Sequence, residues 1–316
     1  MTLFLTPEQI AFFDSQGYLI VEDVLDQTTL AAVKSEYSAL LDQMYDRWHA
    51  DGQVPPAGTQ DFFEKLLTGY KAGCEWFQPM DISLPGSKIE ADTPFHCGPA
   101  VFDMLTNARL LDMVEDLLGP ELTSTPIQHV RLKPPSNILR DTETTAHIMA
   151  TDWHQDRAVA HAEGDATQIV TVWLAMMDAT PENGCLKVIP GKPHMYPHCP
   201  KRQTAIADGF IDEADAIPLP VKAGGAVLFH PLTPHASLDN TSGVFRWSFD
   251  IRYNVTGQPT GRAHFPEFIA RSRATPETEL RDWRAWQDSW IQTRATLAPQ
   301  DHIPIHRWTH DAPACA

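Results

Sequence analysis

The stretch Trp153-His154-Gln155-Asp156 ends a β-favouring run that begins near His147. A later stretch, Phe229-His230-Pro231-Leu232-Thr233-Pro234-His235-Ala236-Ser237, carries a further histidine. In an extended strand, side chains i and i+2 share a face, so His154 and Asp156 aim an imidazole and a carboxylate at a common point. His235 would add a second imidazole. Two histidines and a carboxylate on one face of a metal leave adjacent positions open, the arrangement that suits non-haem Fe(II) oxygenases. An H-x-D pair alone is weak evidence in a chain with 14 histidines. It gains weight here from its place at a strand end and from a second histidine in a later strand region. Whether the three side chains can meet depends on the rest of the chain.

Short β-favouring runs surround these stretches: Thr123–Leu132, His147–Trp153, Gln168–Met176, Cys185–Ile189, Leu219–Val221, Ala226–Phe229 and Val244–Tyr253. Short strands with Gly/Pro punctuation predict an antiparallel sandwich or barrel. Asp178–Gly184 reads as a turn, and Met195–Ile217 as a long polar insertion. Helices flank this region. Thr6-Pro7-Glu8-Gln9 is a capped start and Gly17 a stop, followed by a short strand at Tyr18–Val21. Asp26 caps a longer helix with Leu30, Val33, Tyr37, Leu40, Leu41, Met44 and Trp48 at helical spacing, ended by Asp51-Gly52. A short helix is predicted over Asp61–Tyr70, and another from Asn107 to Gly119-Pro120. Cys74–Pro99 is irregular, as site walls often are, and His96 within it reads as a hydrogen-bonding residue. Pro276–Leu297 predicts an amphipathic helix whose tryptophans pack inward. The expectation is one domain over 1–316, mainly β with flanking helices. It would have a helical cover to about 120, a β core over about 121–255 and a helical extension over about 256–316.

Composition narrows the function. Net charge is −17, and an acidic surface repels phosphate backbones, so nucleic acid is not expected as a partner. The five cysteines are odd in number and show no C-x-x-C pair, which predicts free thiols in a reducing cytoplasm. The N-terminus lacks a basic region and a sustained apolar run, so a secretory signal is not expected, and no apolar run in the chain approaches the ~20 residues of a membrane span. A small-molecule partner remains; the oligomeric state is not legible.

Two residues extend the candidate site. Ser237 shares the face of His235, and a hairpin across Asp239–Gly243 would fold Arg246 back beside it. Arginine is a natural bidentate partner for a buried carboxylate. His230 rivals His235 but lacks these spacings. Arg157 and His161 could meet an anion, though a solvated loop is the simpler reading.

Four ordered segments resemble the phytanoyl-CoA dioxygenase family: Trp153–Asp156, Thr171-Val172-Trp173-Leu174-Ala175, Glu182–Gly191 and His235-Ala236-Ser237 with Arg246. The resemblance runs from the N-terminal helix to about Tyr253. It implies a double-stranded β-helix (a jelly-roll, cupin-like barrel) that uses Fe(II), 2-oxoglutarate and O2. It implies iron ligands His154, Asp156 and His235, with Arg246 and Ser237 on the far carboxylate of 2-oxoglutarate. Trp173 and Gln128 are implied as pocket walls near the cosubstrate. The implied reaction is hydroxylation of an unactivated C–H, with succinate and CO2 as coproducts. Asp156 argues against halogenation, which needs Gly or Ala at that position. The chain departs from the family pattern at Lys192-Pro193-His194. The alternative is a non-oxidative jelly-roll isomerase or binding module on another metal, which would have no need of Arg246 and Ser237. The substrate pocket is expected among residues 60–100, the loop after Asp156 and Met195–Ile217.

Overall fold

Local signals set the helices of this computed structural model, which describes residues 4–140, 143, 147–191, 194–200, 203–305, 307–309, 311–312 and 315. The Thr6 hydroxyl accepts from the Gln9 N–H (3.2 Å) and the Gln9 side chain accepts from the Thr6 N–H (2.9 Å), opening α1 (Pro7–Gln16). Gly17 closes it at φ 79°, a left-handed conformation open to glycine. After β1 (Tyr18–Val21), Asp26 caps α2 (Gln27–Ala50). Asp61 and Glu64 form a second capping box at α3 (Phe62–Ala72). Next come α4 (Phe77–Met80), α5 (Pro99–Leu105) and α6 (Ala108–Leu118), the last capped by Asn107. Sequence reading gave no helix at α4 or α5, which are too short to show a period.

The strands follow: β2 (Glu121–Ser124), β3 (His129–Lys133), β4 (Ile169–Ala175), β5 (Leu186–Val188), β6 (His198–Pro200), β7 (Thr204–Ile206), β8 (Ile217–Leu219), β9 (Ala226–Phe229), β10 (His235–Ser237), β11 (Arg246–Val255) and β12 (Phe268–Ser272). Helix α7 (Trp283–Leu297) comes last. Among the described residues the large antiparallel sheet runs β1-β9-β4-β11-β2-β12, with β3 also paired to β11. A smaller sheet runs β10-β5-β8. The architecture is the jelly roll.

Strand β11 is the spine. One edge pairs with β4 over Ser248–Asn254; the other pairs with β3 over Arg246–Asp250 and then with β2 over Tyr253–Val255. Alternation along these strands separates two environments. Val130 and Leu132, Val172 and Leu174, and Phe249, Ile251 and Tyr253 join one apolar core with Tyr37 and Leu41 of α2 and Trp286 and Trp290 of α7. The opposite face carries Trp173, which packs with Leu186, Val188 and Phe229 between the sheets. It also carries the buried polar row Arg131, Lys133, Arg246, Ser248, Asp250 and Arg252. The barrel interior is therefore charged by construction.

Several expectations change. Residues 147–149 form a turn and bend rather than a strand, and only His154 makes a bridge, to His235. The Thr123–Leu132 run is broken at Pro126, so that β2 and β3 pair with different parts of β11. The hairpin expected to link His235 with Arg246 is absent, since β10 joins the small sheet and β11 the large one. The connection instead crosses between sheets, with the Asn240 amide donating to the Lys133 and Val244 carbonyls (3.1 and 2.7 Å). Strands β1 and β12 carry the large sheet beyond 121–255 at both ends. The C-terminal helix starts at Trp283, after a separate 3-10 turn at Pro276–Thr278. Cys199 and Cys315 are disulfide-bonded across 116 residues, while Cys74, Cys97 and Cys185 are free and buried. Nothing in sequence spacing signals a pair brought together only by the return of the C-terminal tail to β6.

Phe249 is fully buried and packs edge-on against Tyr37 at 5.7 Å. Phe249→Ala should lower stability by about 3–5 kcal/mol, measured by chemical denaturation; a loss under about 1 kcal/mol would place the ring outside the core. Denatured, unreduced protein should yield three reactive thiols and reduced protein five. Five before reduction would exclude the Cys199–Cys315 bond.

Candidate active site

The two histidines of the site are joined through their own backbones. The His154 N–H donates to the His235 carbonyl and the His235 N–H to the His154 carbonyl, both at 3.0 Å. This reciprocal pair lashes the segment before Asp156 to β10. Gln155 is extended (φ −122°, ψ 135°), so His154 and Asp156 fall on one side as i and i+2. A 3-10 turn over Asp156–Val159 then carries the chain away.

Side-chain hydrogen bonds set the tautomers. His154 Nδ1 lies 2.9 Å from the Asp152 carbonyl and His235 Nδ1 lies 3.0 Å from the Thr233 carbonyl. A carbonyl only accepts, so each Nδ1 carries the proton and each Nε2 presents a lone pair. His154 Nε2 is 3.9 Å from Asp156 Oδ1, and His235 Nε2 is 3.8 Å from Asp156 Oδ2. One ligand atom from each residue lies within 4.8 Å of the others, and all three residues are buried. The Phe229 ring stacks on His235 with centroids 4.3 Å apart. Burial pushes the His154 imidazole down to about 3, which keeps it neutral and available as a ligand.

Arg252, which the sequence reading did not single out, holds Asp156. Its Nη2 donates to Asp156 Oδ1 and its Nη1 to the Ile127 carbonyl (3.0 Å). Asp156 Oδ2 is buried with no hydrogen-bond partner. Burial acts to raise the Asp156 pKa, but Arg252 and the two imidazoles outweigh it and hold the carboxyl below the usual range. An orphaned carboxylate oxygen beside two imidazole lone pairs is a donor set for a divalent metal.

A cavity beside this cluster contains a second electrostatic problem. It is lined by Lys133, His154, Trp173, His235, Arg246 and neighbours. Lys133 and Arg246 face each other in strand register and are only 2% and 1% exposed. Among the described residues neither has a carboxylate partner. Lys133 Nζ donates to Thr151 Oγ1 (3.1 Å) and to Ser237 Oγ. The Arg246 guanidinium lies 5.1 Å over the Trp173 ring, and its Nε is buried without a partner. Burial depresses the Lys133 pKa strongly and brings that of Arg246 down to about 9. Buried basic groups without a carboxylate partner are costly, and a carboxylate placed between them offsets that cost. Arg131, also on this wall, is already paired with Asp250 at 2.7 Å.

Other expected residues take other places. Gln128 is buried, donates to the Ile82 carbonyl (3.1 Å) and lies outside the lining of this cavity. His230 accepts from the Leu232 N–H at 3.2 Å. The Arg157 guanidinium donates to the Gly164 and Thr167 carbonyls, and His161 Nε2 lies 2.7 Å from the Pro304 carbonyl. His96 Nε2 pairs with Glu36 at 2.8 Å. Lys192 and Pro193 lie outside the described residues. Lys133 and Arg252 left a signal in the sequence: they are charges at alternate positions of otherwise apolar strands, Val130-Arg131-Leu132-Lys133 and Phe249-Asp250-Ile251-Arg252.

Residues 13–248 match the sequence profile of the family described as phytanoyl-CoA dioxygenase (PhyH). The chain belongs to the phytanoyl-CoA dioxygenase family. It is an oxygenase of the Fe(II)/2-oxoglutarate-dependent type, and the buried His-Asp-His cluster is consistent with chemistry on Fe(II), 2-oxoglutarate and O2. A probable phytanoyl-CoA dioxygenase of Caenorhabditis elegans is 27% identical over 267 residues, covering 79% of this chain and 75% of the relative. An L-proline trans-4-hydroxylase of Streptomyces griseoviridis is 32% identical over 152 residues, covering 40% of this chain and 56% of the relative. In fold, the chain is similar to the non-haem monooxygenase ThoJ, with TM-score 0.57 and 21% identity over 92% of this chain and 97% of that one. No helix among the described residues is long and apolar enough to cross a membrane.

The Arg252–Asp156 pair predicts a metal phenotype. Arg252→Leu should weaken Fe(II) binding by roughly 10–100-fold in an anaerobic titration. Unchanged affinity would mean that Asp156 keeps its position without the guanidinium.

Proposed function

We propose that this family member hydroxylates an aliphatic C–H bond of a small molecule, with His154, Asp156 and His235 as its iron ligands. The observation that carries the reading is a cluster of three metal-capable residues, two of which, His154 and His235, line one cavity with the buried Lys133 and Arg246. Iron and 2-oxoglutarate supply the oxidation when bound: O2 delivers one oxygen atom to the substrate and one to succinate, with release of CO2.

The chain's own residues do the positioning. The Asp152 and Thr233 carbonyls lock the imidazole tautomers, and Arg252 fixes one carboxylate oxygen while leaving the other for metal. Arg246 and Lys133 match the far carboxylate of a diacid, with the Ser237 hydroxyl bridging toward Lys133. Trp173 lies against the Arg246 guanidinium and restricts where it can point. Leu186 and Phe229 line the same cavity and keep it apolar between its charged ends. With Asp156 filling the third ligand position, hydroxylation is favoured over halogenation.

His154→Ala and Asp156→Ala should each abolish succinate formation from 2-oxoglutarate; undiminished turnover in either would sink the ligand assignment. Arg246→Ala and Lys133→Met should each raise the KM for 2-oxoglutarate by about ten-fold or more, since removing one charged hydrogen-bond partner is worth about 1.5–3 kcal/mol. An unchanged KM would remove that residue from the cosubstrate pocket.

A further inference from the structure

A second cavity of about 230 Å³ is also lined by His154. It shares Arg131, Thr151 and His154 with the cosubstrate cavity, so the two cavities meet at His154. Its apolar walls are Leu84, Ile127, Val159 and Ile305. Three guanidinium groups also line it, from Arg131, Arg252 and Arg262, and among the described residues no carboxylate does.

Charge accounting isolates one of the three. Arg131 is paired with Asp250, and Arg252 with Asp156. Arg262 has no carboxylate within ion-pair distance among the described residues. It is 4% exposed. Its Nη2 donates to the Val159 carbonyl at 2.6 Å, and its Nε is buried with no partner. Burial brings its pKa down to about 10, so it remains charged at neutral pH. A buried, uncompensated guanidinium is expensive to maintain in a chain with 41 acidic residues to offer as partners. One unmatched positive charge calls for one negative charge, and a planar fork matches a carboxylate.

We propose that Arg262 receives the carboxylate of a compact monoanionic substrate whose apolar body lies against Leu84, Ile127, Val159 and Ile305. This rests on the oxygenase reading only in treating the cavity as the substrate chamber; the binding itself needs no iron. The substrate class is then a small monocarboxylic acid, including amino acids. A multiply charged phosphate ester would exceed the single free cation.

The test is a calorimetric titration of metal-free protein with linear, branched and cyclic C4–C10 monocarboxylates, each beside its primary amide. At least one acid should bind about ten-fold or more tightly than its amide, the worth of one charge-assisted hydrogen-bond pair. Arg262→Gln should erase that preference, Arg262→Lys should retain part of it, and Arg246→Ala should leave it intact. Three results would overturn the proposal: no acid outbinding its amide, a preference that survives Arg262→Gln, or a preference lost in Arg246→Ala instead. If Arg262→Gln fails to fold by circular dichroism, the wild-type acid–amide comparison, Arg262→Lys and Arg246→Ala still decide. Failure of the oxygenase reading shows separately, as no visible charge-transfer band on anaerobic addition of Fe(II) and 2-oxoglutarate.

Discussion

Two backbone hydrogen bonds, His154 to His235 and back, hold the site together. They fix the spacing of two imidazoles without using any side-chain atom, which leaves both Nδ1 groups free to be locked by the Asp152 and Thr233 carbonyls. Asp156 inherits its place from the same lashing through one extended residue. The protein thus spends ordinary main-chain bonds on alignment and reserves the side-chain atoms for chemistry. Pre-alignment matters because a metal rewards ligands already in position and penalises those that must be ordered on binding.

Around that bridge the barrel interior is organised by charge. Asp156 and Asp250 neutralise Arg252 and Arg131 on the wall. Lys133, Arg246 and Arg262 have no such counterpart among the described residues. Buried cations of this kind are destabilising in the empty protein and stabilising once an anion arrives. The jelly roll tolerates them because its outer, helix-covered face supplies the apolar core through Val172, Leu174, Phe249, Ile251 and the residues of α2 and α7. One face of the large sheet stabilises the fold, so the other face can carry unfavourable charge.

Much of the site was legible because it is encoded locally. His154 and Asp156 share a face through i, i+2 spacing, which survives even though only a single bridge stands where a strand was expected. Capping boxes at Thr6–Gln9 and αL termination at Gly17 are likewise local chemistry. Ser237 and Arg246 are expected together through a hairpin across Asp239–Gly243, which does not form. Lys133 links them instead: it faces Arg246 in strand register and its ammonium donates to the Ser237 hydroxyl on the other sheet. Lys133 and Arg252 were passed over because a charge in a strand is read first as solvated, and only burial on the inner face reverses that reading.

The sequence by itself determined the class of fold and the metal-capable trio, because residue type, i, i+2 spacing and ordered family motifs carry those features. Only the tertiary structure decided which charges are compensated. Pairing of Arg131 with Asp250 and of Arg252 with Asp156 depends on strand register across the sheet and on the turn after Gln155. The same holds for Cys199 with Cys315, whose 116-residue separation no local pattern can report. Electrostatic balance in a buried interior is a property of distances, and distances between remote residues exist only once the chain has folded.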